Sequence, residues 1–227
     1  MTGTPFERDI GRVCELIATR RRAGKRTMVG IAGPPASGKS TLAQAVVAAL
    51  NAPAPDNGPE AVLLPMDGYH LDNRILNARG VLARKGAPET FDAEGFCRAV
   101  AAIATARVET FHPRFDRRMD VAIANAIAIA PDIPVVVAEG NYLLLTAQPW
   151  ATLHRIFDAT VFLCPPRATL EDRLLRRWMH YGLDHKAALR RTIDNDMPNA
   201  DTVTGGSCAA DLHLGQNDTG GDDRFTP

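Results

Sequence analysis

The chain has 227 residues, 45% of them hydrophobic and 23% charged, with a formal net charge of +0. This length allows one well-buried α/β core with a covering segment and leaves little room for a second full domain. The balanced charge argues against non-specific binding to nucleic acid or to an acidic membrane, and no apolar run approaches the roughly 20 residues that a membrane span needs.

From the N-terminus, Met1 to Asp9 is polar and acidic, unlike a secretory leader. Ile10, Val13, Cys14, Leu16 and Ile17 recur at helical spacing over 5–22. Arg20, Arg21, Arg22, Lys25 and Arg26 follow and read as a solvated helix end, where cations suit the dipole. Thr27 to Ala32 is a buried strand and Thr41 to Leu50 a buried helix. Pro53, Pro55, Gly58 and Pro59 mark a loop, and Ala61 to Met66 is a second strand. The turn-rich stretch 67–92 reads as a substrate-covering segment, and Ala93 to Ala106 as a helix.

Residues 121–130 fit a strand by alternation and a helix by alanine content; the Pro-Asp-Ile-Pro turn at 131–134 favours a hairpin into the next strand, Val135 to Ala138. Ala159 to Cys164 is a fourth strand, 167–181 and 185–194 are helices, and Ala209 to Leu214 suits a fifth strand. One domain over 1–214 is expected, with a lid at about 167–191 and a polar tail over 215–227. Cys14, Cys97, Cys164 and Cys208 lack CxxC spacing and read as reduced thiols, in keeping with a cytoplasmic protein.

Strands alternating with helices imply a parallel sheet with helices on both faces, with ligands at the carboxyl ends of the strands. Gly33-Pro34-Pro35-Ala36-Ser37-Gly38-Lys39-Ser40 sits at such an end and matches the Walker A pattern GxxxxGK[ST] in full. Small residues let successive backbone amides converge on phosphate oxygens, and the helix that follows presents its positive dipole end to the anion. The nucleotide-binding set is therefore Gly33, Pro34, Ala36, Ser37, Gly38, Lys39, Ser40 and Thr41. Lys39 reaches the β- and γ-phosphates of ATP, and the Ser40 hydroxyl holds Mg²⁺.

Two further strands end in carboxylates: Asp67 after Val62–Met66, and Glu139 after Val135–Ala138. Phosphoryl transfer to a hydroxyl needs a base near the attacking oxygen and carboxylates around Mg²⁺. Asp67 takes the base role, and Glu139 a metal-shell or substrate-hydroxyl role; Ser40, Asp67 and Glu139 form the candidate metal set. Tyr69, His70, Asn141 and Tyr142 adjoin these acids and are candidates for the acceptor pocket. Arg173 and Arg177, four residues apart on one helical face, are candidates to reach the transferring phosphoryl group. Asn195, Asp196 and Asn199 read as caps and turns, and Trp178 as a packing residue.

These motifs resemble a known superfamily. Met66-Asp67-Gly68-Tyr69-His70 is similar to the strand-end Asp-Gly-Phe segment of the pantothenate kinase, uridine kinase and phosphoribulokinase group. Arg84 to Asp92 resembles a Lys-Gly-x-Pro-Glu-Ser-Tyr-Asp stretch of type I pantothenate kinases. Glu139 to Leu144 and Arg176-Arg177-Trp178 resemble bacterial pantothenate-kinase-like proteins described as nucleoside or nucleotide kinases or as fructose-transport-system kinases. The likeness covers most of 27–205. It implies an α/β P-loop NTPase fold of three layers, a five-stranded parallel sheet of order 2-3-1-4-5, Asp67 as catalytic base and an arginine-bearing lid. Phe111 to Arg117 sits where the superfamily contacts its acceptor, but Asp116-Arg117-Arg118-Met119-Asp120 departs from both the uridine-kinase and pantothenate-kinase patterns.

The reading is an ATP- and Mg²⁺-dependent kinase of a small-molecule hydroxyl, with a sugar such as fructose first, then a nucleoside, then pantothenate. A GTPase would need an Asn-Lys-x-Asp guanine reader, which the sequence lacks. A non-catalytic nucleotide-binding or transport-accessory module is the remaining alternative. The expected partner is the small-molecule substrate, with neither nucleic acid nor membrane insertion; a homodimer is left open.

Overall fold

A computed structural model describes residues 3–52 and 58–215 of the chain. Past Gly215 the expected polar tail lies outside the described residues, as do Pro53 and Pro55 of the expected loop.

Helix α1 (Pro5–Arg20) opens on a reciprocal cap. Glu7 N donates to Thr4 Oγ1, and Thr4 N donates back to Glu7 Oε2, which satisfies two of the free amides at the helix start. Strand β1 (Thr27–Ala32) follows and is buried along its whole length. The P-loop then leads into α2 (Lys39–Asn51). Strand β2 (Ala61–Pro65), α3 (Asn73–Ala78) and α4 (Ala93–Thr105) come next. After them are β3 (Thr110–Asp116), β4 (Val121–Ile129) and the fully buried β5 (Val135–Gly140). The chain continues with β6 (Ala159–Leu163), α5 (Arg167–His180), α6 (His185–Arg191), α7 (Met197–Gly206) and β7 (Leu212–Leu214).

Five strands form one parallel sheet in the order β2-β5-β1-β6-β7. Counted in chain order among themselves, these are strands 2-3-1-4-5. The continuous apolar runs of β1 and β5 follow from burial on both faces. Met28, Ala32, Val136 and Ala138 join a core with Phe96, Val100 and Ile103 of α4. Val29, Ile31, Val135 and Val137 join another with Val13 and Ile17 of α1 and Leu42 and Val46 of α2. At about 1.5–3 kcal/mol per fully buried aliphatic side chain, this two-sided packing is what holds the strand ends in place.

Two expectations are corrected. Residues 121–129 are a strand, but the hairpin runs backwards: β4 pairs antiparallel with β3, not with β5. This two-stranded unit stays outside the main sheet. The basic stretch after α1 is also more than a solvated helix end. Arg26 donates to the carbonyls of Ile103, Ala130, Pro131 and Ile133 at 2.5–2.9 Å. One guanidinium, with its fixed fork of donors, thereby fastens the end of α4 and the 130–133 turn to the start of β1.

Candidate active site

The P-loop lies at the carboxyl end of β1, between β5 and β6. Its backbone is wound as a phosphate cradle requires. Ala36 and Gly38 take positive φ, 61° and 93°. A Cβ at Gly33 would stand 2.2 Å from the Leu163 carbonyl at the end of β6, so only glycine fits there. No side chain caps α2, whose N-terminus opens on the loop, and Ser37 Oγ is buried without a hydrogen-bond partner among the described residues. Free amides at a helix start and an orphaned hydroxyl suit an anion.

Register brings the two acids to the same end of the sheet. Glu139 is level with Ile31 of β1 and with Pro65 of β2, two residues before Asp67. Glu139 is buried and accepts from Ser40 Oγ at 3.0 Å. Burial holds its carboxyl above the usual range, and neighbouring Asp67 adds to this against the opposing pull of Lys39. Lys39 is held below its ordinary value by burial, partly offset by Glu139 and Asp67. Burial alone would raise Asp67, but Arg117, with His70 and Lys39, brings it below the usual carboxylate value. Two neighbouring acids driven in opposite directions are the pattern of divided roles.

Asp67 sits in a single helical turn, Met66–Tyr69. The glycine after it has a steric reason: a Cβ at Gly68 would lie 2.2 Å from the Pro113 carbonyl of β3. The hairpin therefore stands directly against the Asp67 turn, and Arg117, at its tip, pairs with Asp67 Oδ2. Arg117 is the residue sequence reasoning passed over, although its segment had drawn notice as a departure from known patterns.

The remaining candidates divide. His70 lies between the rings of Phe91 and Phe115, 4.0 and 4.6 Å away, with Nδ1 2.8 Å from the Asp67 carbonyl. Tyr69 meets His112 Nδ1 through its hydroxyl at 3.2 Å. Asn141 is half-buried at the end of β5. Tyr142 is a correction: it is fully buried, and its hydroxyl donates to the Gly86 carbonyl at 2.5 Å, so it braces the 67–92 segment from within the core instead of lining an acceptor pocket.

Arg173 donates to the Ser37 carbonyl at 3.3 Å, which brings α5 onto the P-loop. Arg177 lies 3.9 Å from Asp196, and its Nε is buried without a hydrogen-bond partner among the described residues. Trp178 does more than pack: its ring is flanked by the guanidinium groups of Arg177 and Arg191, each at about 5 Å, and its Nε1 donates to Asp196 Oδ2 at 2.5 Å. Asn195, Asp196 and Asn199, expected as caps and turns, are buried around a π-helical stretch, Thr192–Asp196. Asn195 and Asn199 accept from Arg84 at 2.9 and 3.3 Å, while Arg191 donates to the carbonyls of Ala83 and Lys85 at 2.7 and 3.0 Å. These contacts tie the 82–90 turn to the helices over the P-loop.

No family model matches the chain. It is 33% identical over 201 residues to a Schizosaccharomyces pombe protein described as "Putative uridine kinase C227.14", covering 85% of this chain and 84% of that one. A crystal structure of a "putative fructose transport system kinase" from Silicibacter sp. TM1040 superposes with a TM-score of 0.83 at 43% identity, covering 90% of this chain and 98% of that one. A Streptomyces coelicolor pantothenate kinase is 31% identical over 163 residues, covering 69% of this chain but 47% of the kinase. The chain belongs to the uridine kinase and pantothenate kinase superfamily of P-loop kinases. Members of this superfamily are ATP-dependent small-molecule kinases, and the chain is one of them. Among the described residues no helix is long and apolar enough to cross a membrane.

Proposed function

We propose that the chain transfers the γ-phosphoryl group of ATP to a hydroxyl of a sugar or sugar-like alcohol, with Asp67 as the base. The observation that carries this reading is the meeting of Lys39, Glu139 and Asp67 at one sheet end, beside a P-loop with open amides. A sugar acceptor is supported by the 43% identity to the "putative fructose transport system kinase" of Silicibacter sp. TM1040. A nucleoside is the second reading, favoured by the uridine kinase name of the Schizosaccharomyces pombe relative.

In this mechanism the P-loop amides, Lys39 and the Ser37 hydroxyl bind the phosphates of ATP. Ser40 Oγ and the Glu139 carboxylate, hard oxygen donors 3.0 Å apart, suit Mg²⁺, with Asp67 at the margin of that set. Bound there, the ion supplies Lewis-acid charge to phosphate oxygens. Asp67 accepts the proton of the attacking hydroxyl. Helices α5 and α6 act as the lid, with Arg173 already on the loop backbone and Arg177 beside it, and their closure excludes water that would compete as acceptor. The 67–92 segment covers the acceptor.

The test is ADP release with MgATP against fructose and other sugars, uridine and other nucleosides, pantothenate and ribulose 5-phosphate. One acceptor is expected to stimulate strongly. Asp67→Asn should retain ATP affinity and lower kcat by about 10²–10⁴-fold. Near wild-type turnover in that variant would refute Asp67 as base.

A further inference from the structure

One buried carboxylate in the helices over the P-loop has no part in the mechanism above. Asp196 ends the π-helical stretch Thr192–Asp196, and its side chain is 6% exposed. Turns of this kind recur at functional sites. Burial holds the carboxyl above its ordinary value, against the pull of Arg177, the hydrogen bond from Trp178 and the charges of Arg191 and Arg84. A buried ion pair is a poor source of stability, and well-packed neutral groups often serve a fold as well or better. A carboxylate here calls for a reason beyond packing.

The three arginines around it are used differently. Arg84 donates to Asn195 and Asn199, and Arg191 to the carbonyls of Ala83 and Lys85. Arg177 stands 3.9 Å from Asp196 Oδ1, too far for a hydrogen bond, and its Nε is buried without a partner among the described residues. Its guanidinium also lies over the Trp178 ring at 5.1 Å, and the same Asp196 fixes that ring by accepting from Nε1 at 2.5 Å. Burial weighs against the charge of Arg177; Asp196 is the strongest pull in its favour, Arg117 pushes against it, and Tyr181 and Asp67 attract it more weakly. Arg177 in turn acts on both Lys39 and Asp67. One cation is thus shared between a carboxylate of the π-turn and the reacting groups at the sheet end.

We propose that Asp196 is a positioning residue: by pairing with Arg177 without hydrogen-bonding it, and by pinning the Trp178 ring, it holds that guanidinium beside the P-loop with its donors left for the transferring phosphoryl group. This rests on the kinase reading above and adds how the lid arginine is set. A carboxylate hydrogen-bonded to Arg177 would have to release it at each turnover. A carboxylate at 3.9 Å steadies the cation against the repulsion of Lys39 and Arg117 without that step. Stabilisation of the charge that develops during transfer depends on donors already in place.

The experiment is a double-mutant cycle on the full chain with Asp196→Asn and Arg177→Met. Asparagine removes the charge and keeps an oxygen for Trp178 Nε1. With the acceptor that stimulates ADP release, Asp196→Asn should lower kcat about 10–100-fold while the acceptor KM changes less than about twofold. Added to Arg177→Met, it should cost less than about twofold more, because its effect runs through that arginine. The Tm should stay level or rise, since a buried charge has gone. An unchanged kcat, losses that multiply in the double variant, or a fall in Tm with equal loss of nucleotide and acceptor affinity overturns the proposal. If no compound turns over, the ratio of affinities for MgADP and for magnesium-bound AMP-PNP, an unreactive ATP analogue, replaces kcat in the same cycle and is read in the same way. If Asp196→Asn does not fold, Trp178→Phe takes its place; it removes the Nε1 bond, keeps an aromatic face and should show the same non-additive loss. Failure of the kinase reading itself would show separately, as absence of MgADP and AMP-PNP binding to the wild type.

Discussion

Around Lys39, the groups that matter sit within a few residues of a strand end: the P-loop follows β1, Glu139 closes β5, and Asp67 stands two residues after β2. Around Lys85 the opposite holds. Arg84, Lys85 and Gly86 are fixed by Arg191, Asn195, Asn199, Asp120 and Tyr142, partners 35 to 115 positions away in sequence. In the phosphate-donor half each group is set by the short segment at its own strand end, although Ser40 and Glu139 then meet across 99 positions. The other half, which we propose faces the acceptor, is an agreement among the hairpin, the 82–90 turn and the helices over the loop. The P-loop side is therefore placed by short local segments, while this acceptor half is placed by contacts no short segment contains.

Substitutions can break this contrast, beginning with the largest expected effect. Lys39→Ala removes the cation of the donor half and should lower kcat/KM for ATP by about 10²–10³-fold or more. ATP titration and steady-state kinetics check it, and unchanged values would remove the phosphate-cradle role. Asn195→Ala breaks the acceptor-half clamp, since Asn195 is buried, accepts from Arg84 at 2.9 Å and donates to the Lys85 carbonyl at 3.3 Å. Removing a hydrogen bond to a charged group should cost about 1.5–3 kcal/mol, read as a Tm drop of about 2–4 °C per kcal/mol. The KM for the acceptor should rise while ATP affinity holds; an equal loss of both would mean the two halves are one unit.

The smallest effect is on pH. Burial holds His70 and His112 below the ordinary imidazole value of 6.5. The unfolded chain therefore takes up these protons first, and their contribution to stability, present above about pH 6.5, is lost as pH falls through the folded values. Glu139, held high by burial, works in the opposite sense, so the comparison has to be between variants. Scanning calorimetry at about pH 7, 6 and 5 should show Tm falling on acidification, and His112→Gln should flatten the fall. An unchanged slope would assign the acid sensitivity to other groups.

Much of the donor half was legible in the sequence because its signals are short. A glycine-rich turn between a strand and a helix, and acids at the ends of apolar strands, fix both identity and placement. The five-stranded order agrees with the family resemblance once the hairpin is set aside. The hairpin itself was misread because Val121–Ile129 alternates with alanines and finds its partner upstream, across a turn rich in charge where no glycine marks it. Tyr142 looked like a pocket residue because it adjoins Glu139 and Asn141, but strand alternation had ended and its ring turned into the core. The pairing of Arg117 with Asp67, 50 positions apart, has no local signature; the family resemblance placed Phe111 to Arg117 at the acceptor segment but gave Arg117 no partner.

The hairpin has one more consequence. It adds no strand to the main sheet, and its tip, Arg117 to Asp120, is exposed. It is held to the catalytic end by the backbone approach of Pro113 to Gly68 and, at the tip itself, by Arg117 on Asp67 and by Asp120 on Lys85 and Asn73. Arg118 and Met119, exposed between these fixed points, can drift in sequence without unsettling the core, whereas Asp116, Arg117 and Asp120 are bound to the contacts they make. Exchanging residues 118 and 119 between relatives is for the same reason a graft the scaffold should tolerate.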